Sequence, residues 1–224
     1  MAHALQRQYL RCPGVTPEAG GVFLVNRDLQ SYLENHILPQ YAGYEASHGV
    51  EHIRTVTKNA LELCDGLDVD TDMVITIAAY HDIGLRYGRE DHEITGARVL
   101  AEDRELDRWF STEQIRTMQE AVEDHRASRK EKPRSIYGCI IAEADRDITP
   151  ERILKRCILF EKTAHPEAGE EEIIGHVLSH IEEKYGENGY LKLWMPCKRN
   201  EEGLQTLRQW LATGELKRRV KSAL

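Results

Sequence analysis

The run MVITIAAY at residues 73–80 is the most apolar stretch of the chain, and it stops on a histidine and an aspartate, His81 and Asp82. A segment this apolar belongs in a core, so the fold must bring two polar, metal-binding side chains to the edge of that core. Short apolar runs suit a buried strand or a buried helix. The length of this one, with Asp70 or Thr71 ahead of it as a cap, favours a helix. A His-Asp pair by itself is weak evidence for a site. It gains weight only if other donors lie where a fold can gather them.

The rest of the chain reads as helices. Asp28 can cap a first helix with Leu29, Tyr32, Leu33, Ile37 and Leu38 on its apolar side. SHGVEHIRTVTKNALELCDG puts Ile53, Val56, Ala60 and Leu63 on one face, with Gly66 as a stop. A fourth helix covers DHEITGARVLAED, and a fifth opens on STEQ, where Ser111 and Gln114 match a capping box. Its stripe is Ile115, Met118, Val122 and then His125. Further helices are expected around IYGCIIAEADRD, from Thr149-Pro150 to about Thr163, from Glu170 to Tyr185, and from Asn200 to Ala212. GYLKLWMPCKRN reads as a loop, with Trp194 and Trp210 as packing residues. The expectation is a single all-α domain over residues 1–224, with a motif core at about 45–150 and helices of 150–224 packed on it.

Charge and cysteine usage narrow the function. At a net charge of −8 the chain gains nothing from counterion release, which argues against binding a nucleic-acid polymer. No stretch suits a signal peptide or a membrane span. Five scattered cysteines without a CxxC pair suit reduced thiols in the cytoplasm. A small anionic substrate remains compatible, provided bound cations or a local basic patch offset the repulsion.

Several polar residues sit on apolar faces. His52 adjoins Ile53 and lies one turn before Val56, and His48 falls one turn earlier. His81 and Asp82 end the third helix, and His92 opens the fourth. His125 continues the Ile115–Met118–Val122 stripe, and Asp145 follows Ile141 by four residues. Each alone has an ordinary structural explanation. Seven on five helices suggest a shared purpose, because a buried carboxylate is costly alone and a divalent cation satisfies several donors at once. His176 and His180 also have a ligand-like spacing, but nothing nearby in sequence completes a set, so both are left outside the site.

The order of EHIRTV (His52), AAYHDIGL (His81, Asp82) and IAEADRD (Asp145), with DHEITGA (His92) and VEDHR (His125) between, resembles the HD-domain superfamily of metal-dependent phosphohydrolases. The likeness spans roughly residues 48–147. It implies that His52, His81, Asp82 and Asp145 hold a first metal, and that Asp82 bridges to a second held also by His92 and His125. One or two divalent ions are implied, and the mixed nitrogen and oxygen donors suit iron, manganese, cobalt or zinc. His48 falls where some members carry another ligand or a substrate-contacting residue, and both roles stay open.

The implied chemistry is attack of a metal-activated hydroxide on a phosphate ester or nucleotide, with Asp82, His48 and Arg126 as the catalytic candidates. Arg86, Arg89 and the cluster RASRKEKPR, with Arg126, Arg129, Lys130 and Arg134, are candidates for holding the phosphate. Arg126 leads because it adjoins a proposed ligand. Relatives acting on cyclic dinucleotides commonly carry lysine where this chain has Leu85, and their GYP signature is absent. Alarmone hydrolases place an acidic pair soon after the HD, whereas here Glu90 and Asp91 come later. A small phosphomonoester or nucleotide is therefore the expected substrate. Two rivals are an HD-fold di-iron oxygenase and a metal- or nucleotide-binding regulator without turnover.

Overall fold

The third helix, α3 (Thr71–Tyr80), is buried on every side from Met73 to Tyr80, as its apolar run requires. Asp70 caps it by accepting a hydrogen bond from the Asp72 amide at 3.0 Å. This computed structural model describes residues 25–45, 47–126, 129 and 131–224. Lys130 and Cys12 lie outside the described residues. Among those described there is no strand, so the all-α expectation holds and the strand alternative for VITIAAY falls.

The described chain divides into two compact units, with the boundary after Asp145. In the first unit, α1 (Arg27–Tyr32) is capped by Asn26, whose side chain accepts from the amides of Asp28 and Leu29. Asp28, expected as the cap, lies in the first turn instead. The segment continues through a π turn (Leu33–Ile37) and a 3-10 turn (Leu38–Tyr41). Next come α2 (Val50–Leu63), α3, a 3-10 turn (Ile83–Tyr87) and α4 (His92–Glu102). A further 3-10 turn (Arg104–Arg108), α5 (Thr112–Asp124) and α6 (Ile136–Asp145) complete the unit. The Ser111–Gln114 capping box forms in both directions.

Around α3 pack α2, α4, α5 and α6. Tyr41 donates its hydroxyl to the Ala79 carbonyl at 2.7 Å, and Tyr32 and Tyr80 both donate to Asp103. These bonds tie the first segment and the end of α4 to the central helix. Asn59 of α2 donates to the Ala144 carbonyl at 3.1 Å, fixing the end of α6 beside α2.

The second unit holds α7 (Pro150–Ala164), α8 (Glu170–Tyr185), α9 (Lys198–Thr213) and α10 (Glu215–Ala223) around a core that includes Ile153, Ile174, Val177, Ile181, Leu207 and Leu216. Gly203 is required there, because a Cβ would stand 1.9 Å from the Ile148 carbonyl oxygen. The sequence reading stops near Ala212 and misses α10. Gly214 turns the chain at φ +71, and the strongly charged segment beyond it buries only Leu216 and Val220. None of the described helices is long and apolar enough to cross a membrane.

Candidate metal centre

Three of the six donors expected to bind metal stand where helices run out, and a fourth follows directly. His81 is the C-cap of α3 and Asp82 the next residue, His125 is the C-cap of α5, and Asp145 is the last residue of α6. Helix C-termini carry negative partial charge and favour a cation. His52, in the first turn of α2, and His92, the first residue of α4, come from helix starts. His48 lies in the turn before α2 and not on its face, yet its ring reaches the same place.

Asp82 organises the cluster. Its Oδ2 lies 2.8 Å from His48 Nδ1, 3.5 Å from His52 Nε2 and 3.4 Å from His81 Nε2. Its Oδ1 faces the other way, 3.5 Å from His92 Nε2 and 3.6 Å from His125 Nε2. Asp145 Oδ1 completes the first side, 3.1 Å from His52 Nε2 and 3.8 Å from His81 Nε2. The donor atoms fall into three overlapping groups, each drawn together within 4.8 Å: His48–His52–Asp82, His52–His81–Asp145 and Asp82–His92–His125.

The backbone fixes the tautomers. His81 Nδ1 meets the Ala78 carbonyl at 2.8 Å, His125 Nδ1 meets the Val122 carbonyl at 2.6 Å, and His92 Nδ1 meets the Arg89 carbonyl at 3.1 Å. A carbonyl can only accept, so each Nδ1 carries a proton, and a ring in its neutral form turns an Nε2 lone pair inward. Ala78 and Val122 lie in the last turns of their helices, where carbonyls run short of intrahelical partners and can accept from a ring. Helix ends thus satisfy themselves and aim the ligands in one step.

Both carboxylates, Asp82 and Asp145, stay ionised despite their burial. Burial alone would raise the Asp82 carboxyl, but the neighbouring His81 and the contacts from His125 and His48 hold it far below the usual carboxylate range. Asp145 is likewise held down, against burial, by His52. Burial works against a charged His81, yet Asp82 and Asp145 push its ring up to about 9. His92 is shifted down by burial and by His125. Inward-facing imidazole nitrogens with two ionised carboxylates are donors that fit a divalent transition metal. His52, His81, Asp82 and Asp145 would hold one ion, and Asp82, His92 and His125 another.

The basic residues divide. Arg89 approaches the centre, with Nη2 3.4 Å from His48 Nε2. Arg86 donates to Gln40 Oε1 at 2.8 Å and lies over the Tyr87 ring. Arg126 pairs with Glu93 at 3.0 Å, and Glu93 Oε2 in turn lies 3.3 Å from His92 Nδ1. Arg129 and Arg134 converge instead on the fully buried Asp124, at 2.8 and 2.9 Å. Those two anchor the chain after His125 to the end of α5. The sequence reading missed Glu93 and Asp124, although each adjoins a proposed ligand.

Two glycines set how closely the parts meet. A Cβ on Gly84 would lie 2.0 Å from the His92 carbonyl oxygen, and one on Gly96 would lie 3.2 Å from that of Tyr80. Only glycine lets the turn after Asp82 sit against the start of α4, bringing His92 to Asp82 Oδ1.

The family model for the HD domain matches residues 49–149. Residues 49–149 form an HD domain. Every residue of the cluster except His48 falls within those limits. The fold is also similar to the crystal structure of a predicted HD superfamily hydrolase from an uncultured Thermotogales bacterium, at a TM-score of 0.50 and 17% identity, over 88% of this chain and 92% of that one. At that identity the likeness speaks to fold alone. No curated protein matches the chain. The HD domain and its histidine–aspartate clusters together support a metal-dependent hydrolase in general.

Proposed function

We propose that this HD domain hydrolyses a phosphate ester of a small molecule or nucleotide, using one or two divalent metal ions. The observation that carries this reading is the division of Asp82, one carboxylate oxygen toward His52 and His81 and the other toward His92 and His125. Bound there, divalent ions supply an activated water and a clamp for phosphate oxygens.

The chain's own residues do the rest. Arg89 is exposed and next to His48, so its guanidinium is placed to bind a phosphate oxygen. Arg86, also exposed, extends that basic edge, and Arg126 can join it by loosening its pair with Glu93. His48 holds a proton on Nδ1 against Asp82 when its Nε2 accepts from Arg89. Held between Asp82 and Arg89, the His48 ring orients that guanidinium beside the metal cluster. The small phosphorylated substrate is the partner this surface suits.

The test is a screen of phosphomonoesters, phosphodiesters and nucleotides with protein reconstituted in Mn²⁺, Fe²⁺, Co²⁺ or Zn²⁺. Release of phosphate or of a nucleoside, absent in Asp82→Ala, supports the reading. Stoichiometric metal without hydrolysis of any ester would sink it, and oxygen uptake would point to the oxygenase rival.

A further inference from the structure

His176 looks incomplete in sequence because its companions lie on another helix. The structure places Glu161 in the last turn of α7, His165 just past its end, and His176 opposite on α8, all within the second unit. Glu161 Oε2 lies 3.0 Å from His176 Nδ1 and 3.8 Å from His165 Nε2. The two imidazoles meet edge to face with centroids 5.3 Å apart. One donor atom from each residue falls within 4.8 Å of the other two. Ligands about 2.0–2.2 Å from one ion stand roughly 3–4 Å from each other, so the spacing fits a single metal.

Charge balance points the same way. Glu161 is buried, at 9% exposure, and among the described residues no lysine or arginine pairs with its carboxylate; its ion-pair partners are the two histidines. A divalent ion compensates the buried carboxylate and is ligated by the lone pairs of both imidazoles. His165 and His176 are half exposed, so an ion and its waters can enter. We propose that Glu161, His165 and His176 form a second metal site, separate from the HD cluster, that binds one ion of the zinc class with at least one position left to solvent. Two nitrogens and one carboxylate oxygen make the donor set of an open zinc site.

The experiment titrates the metal-stripped chain of 224 residues with Zn²⁺ and Co²⁺. His165→Ala/His176→Ala should bind one equivalent fewer than the parent and lose that site's share of the visible cobalt absorption. Asp82→Ala should keep this equivalent while losing those of the HD cluster, so failure at one site is distinguishable from failure at the other. Glu161→Gln alone should weaken the equivalent at least about tenfold, on the scale seen when a metal site loses a supporting group. Circular dichroism and thermal midpoints of the metal-free variants check folding, and the single variant decides if the double one misfolds. Equal stoichiometry and affinity in parent and variants would overturn the proposal and leave Glu161–His176 an ordinary ion pair.

Discussion

Asp82 offers one oxygen to each histidine group, so its replacement strikes both at once. Asp82→Ala is expected to lose most of the HD-cluster metal and all metal-dependent turnover, read by elemental analysis beside activity. Full retention of metal would break the bridging assignment. His92→Ala touches only the Oδ1 group and should cost about one equivalent while leaving the other. Arg89→Ala should leave metal content unchanged and raise KM about tenfold, on the scale of a lost charge-assisted hydrogen bond. An unchanged KM would remove Arg89 from substrate binding. The candidate donors stood out in the sequence because they interrupt apolar faces, and the structure gathers their side chains into overlapping groups. The commitments of Arg126, Arg129 and Arg134 were not, since a basic run looks the same whether it faces solvent or grips a neighbouring carboxylate.

Helix ends decide where those donors point. Gly84 permits the contact between the turn after Asp82 and the start of α4, and Gly84→Ala forces a shift of backbone against backbone. A destabilisation of about 1–3 kcal/mol is expected, the usual cost of overpacking. Metal held through His92 should fall with it, and a variant binding both equivalents normally would refute this role. Asp124→Ala leaves Arg129 and Arg134 without their shared carboxylate and frees the chain beyond His125. Breaking a buried pair costs about 3–5 kcal/mol, less here because both arginines are partly exposed. Chemical denaturation measures the loss, and a change under 1 kcal/mol would make the anchor dispensable. Most helix limits were legible from caps: Ser111, Asp70 and Pro150 each mark a start. The 3-10 turn at Ile83–Tyr87 was not, because its glycine answers to a contact with a distant carbonyl that no local pattern records.

At the scale of the whole chain, the all-α architecture followed from helical periodicity with no alternating segment to oppose it. The division after Asp145 did not, since an uninterrupted series of capped helices carries no mark of where one core ends and another begins. Nor did the meeting of Glu161 with His176, which depends on how α7 lies against α8. Removing metal with a chelator should lower the thermal midpoint, because an ion at one hundred times its dissociation constant adds about 2.7 kcal/mol to the native state. Calorimetry with and without chelator reads this directly, and an unchanged midpoint would mean that the ion is not bound under those conditions. The hydrogen bonds from His81, His92 and His125 to backbone carbonyls carry a kinetic consequence. Those rings are oriented by the folded backbone before any ion arrives, so uptake involves little searching by the ligands. Loading of the metal-free protein should then be second order, its rate proportional to ion concentration, without the plateau that a slow rearrangement of the site would impose.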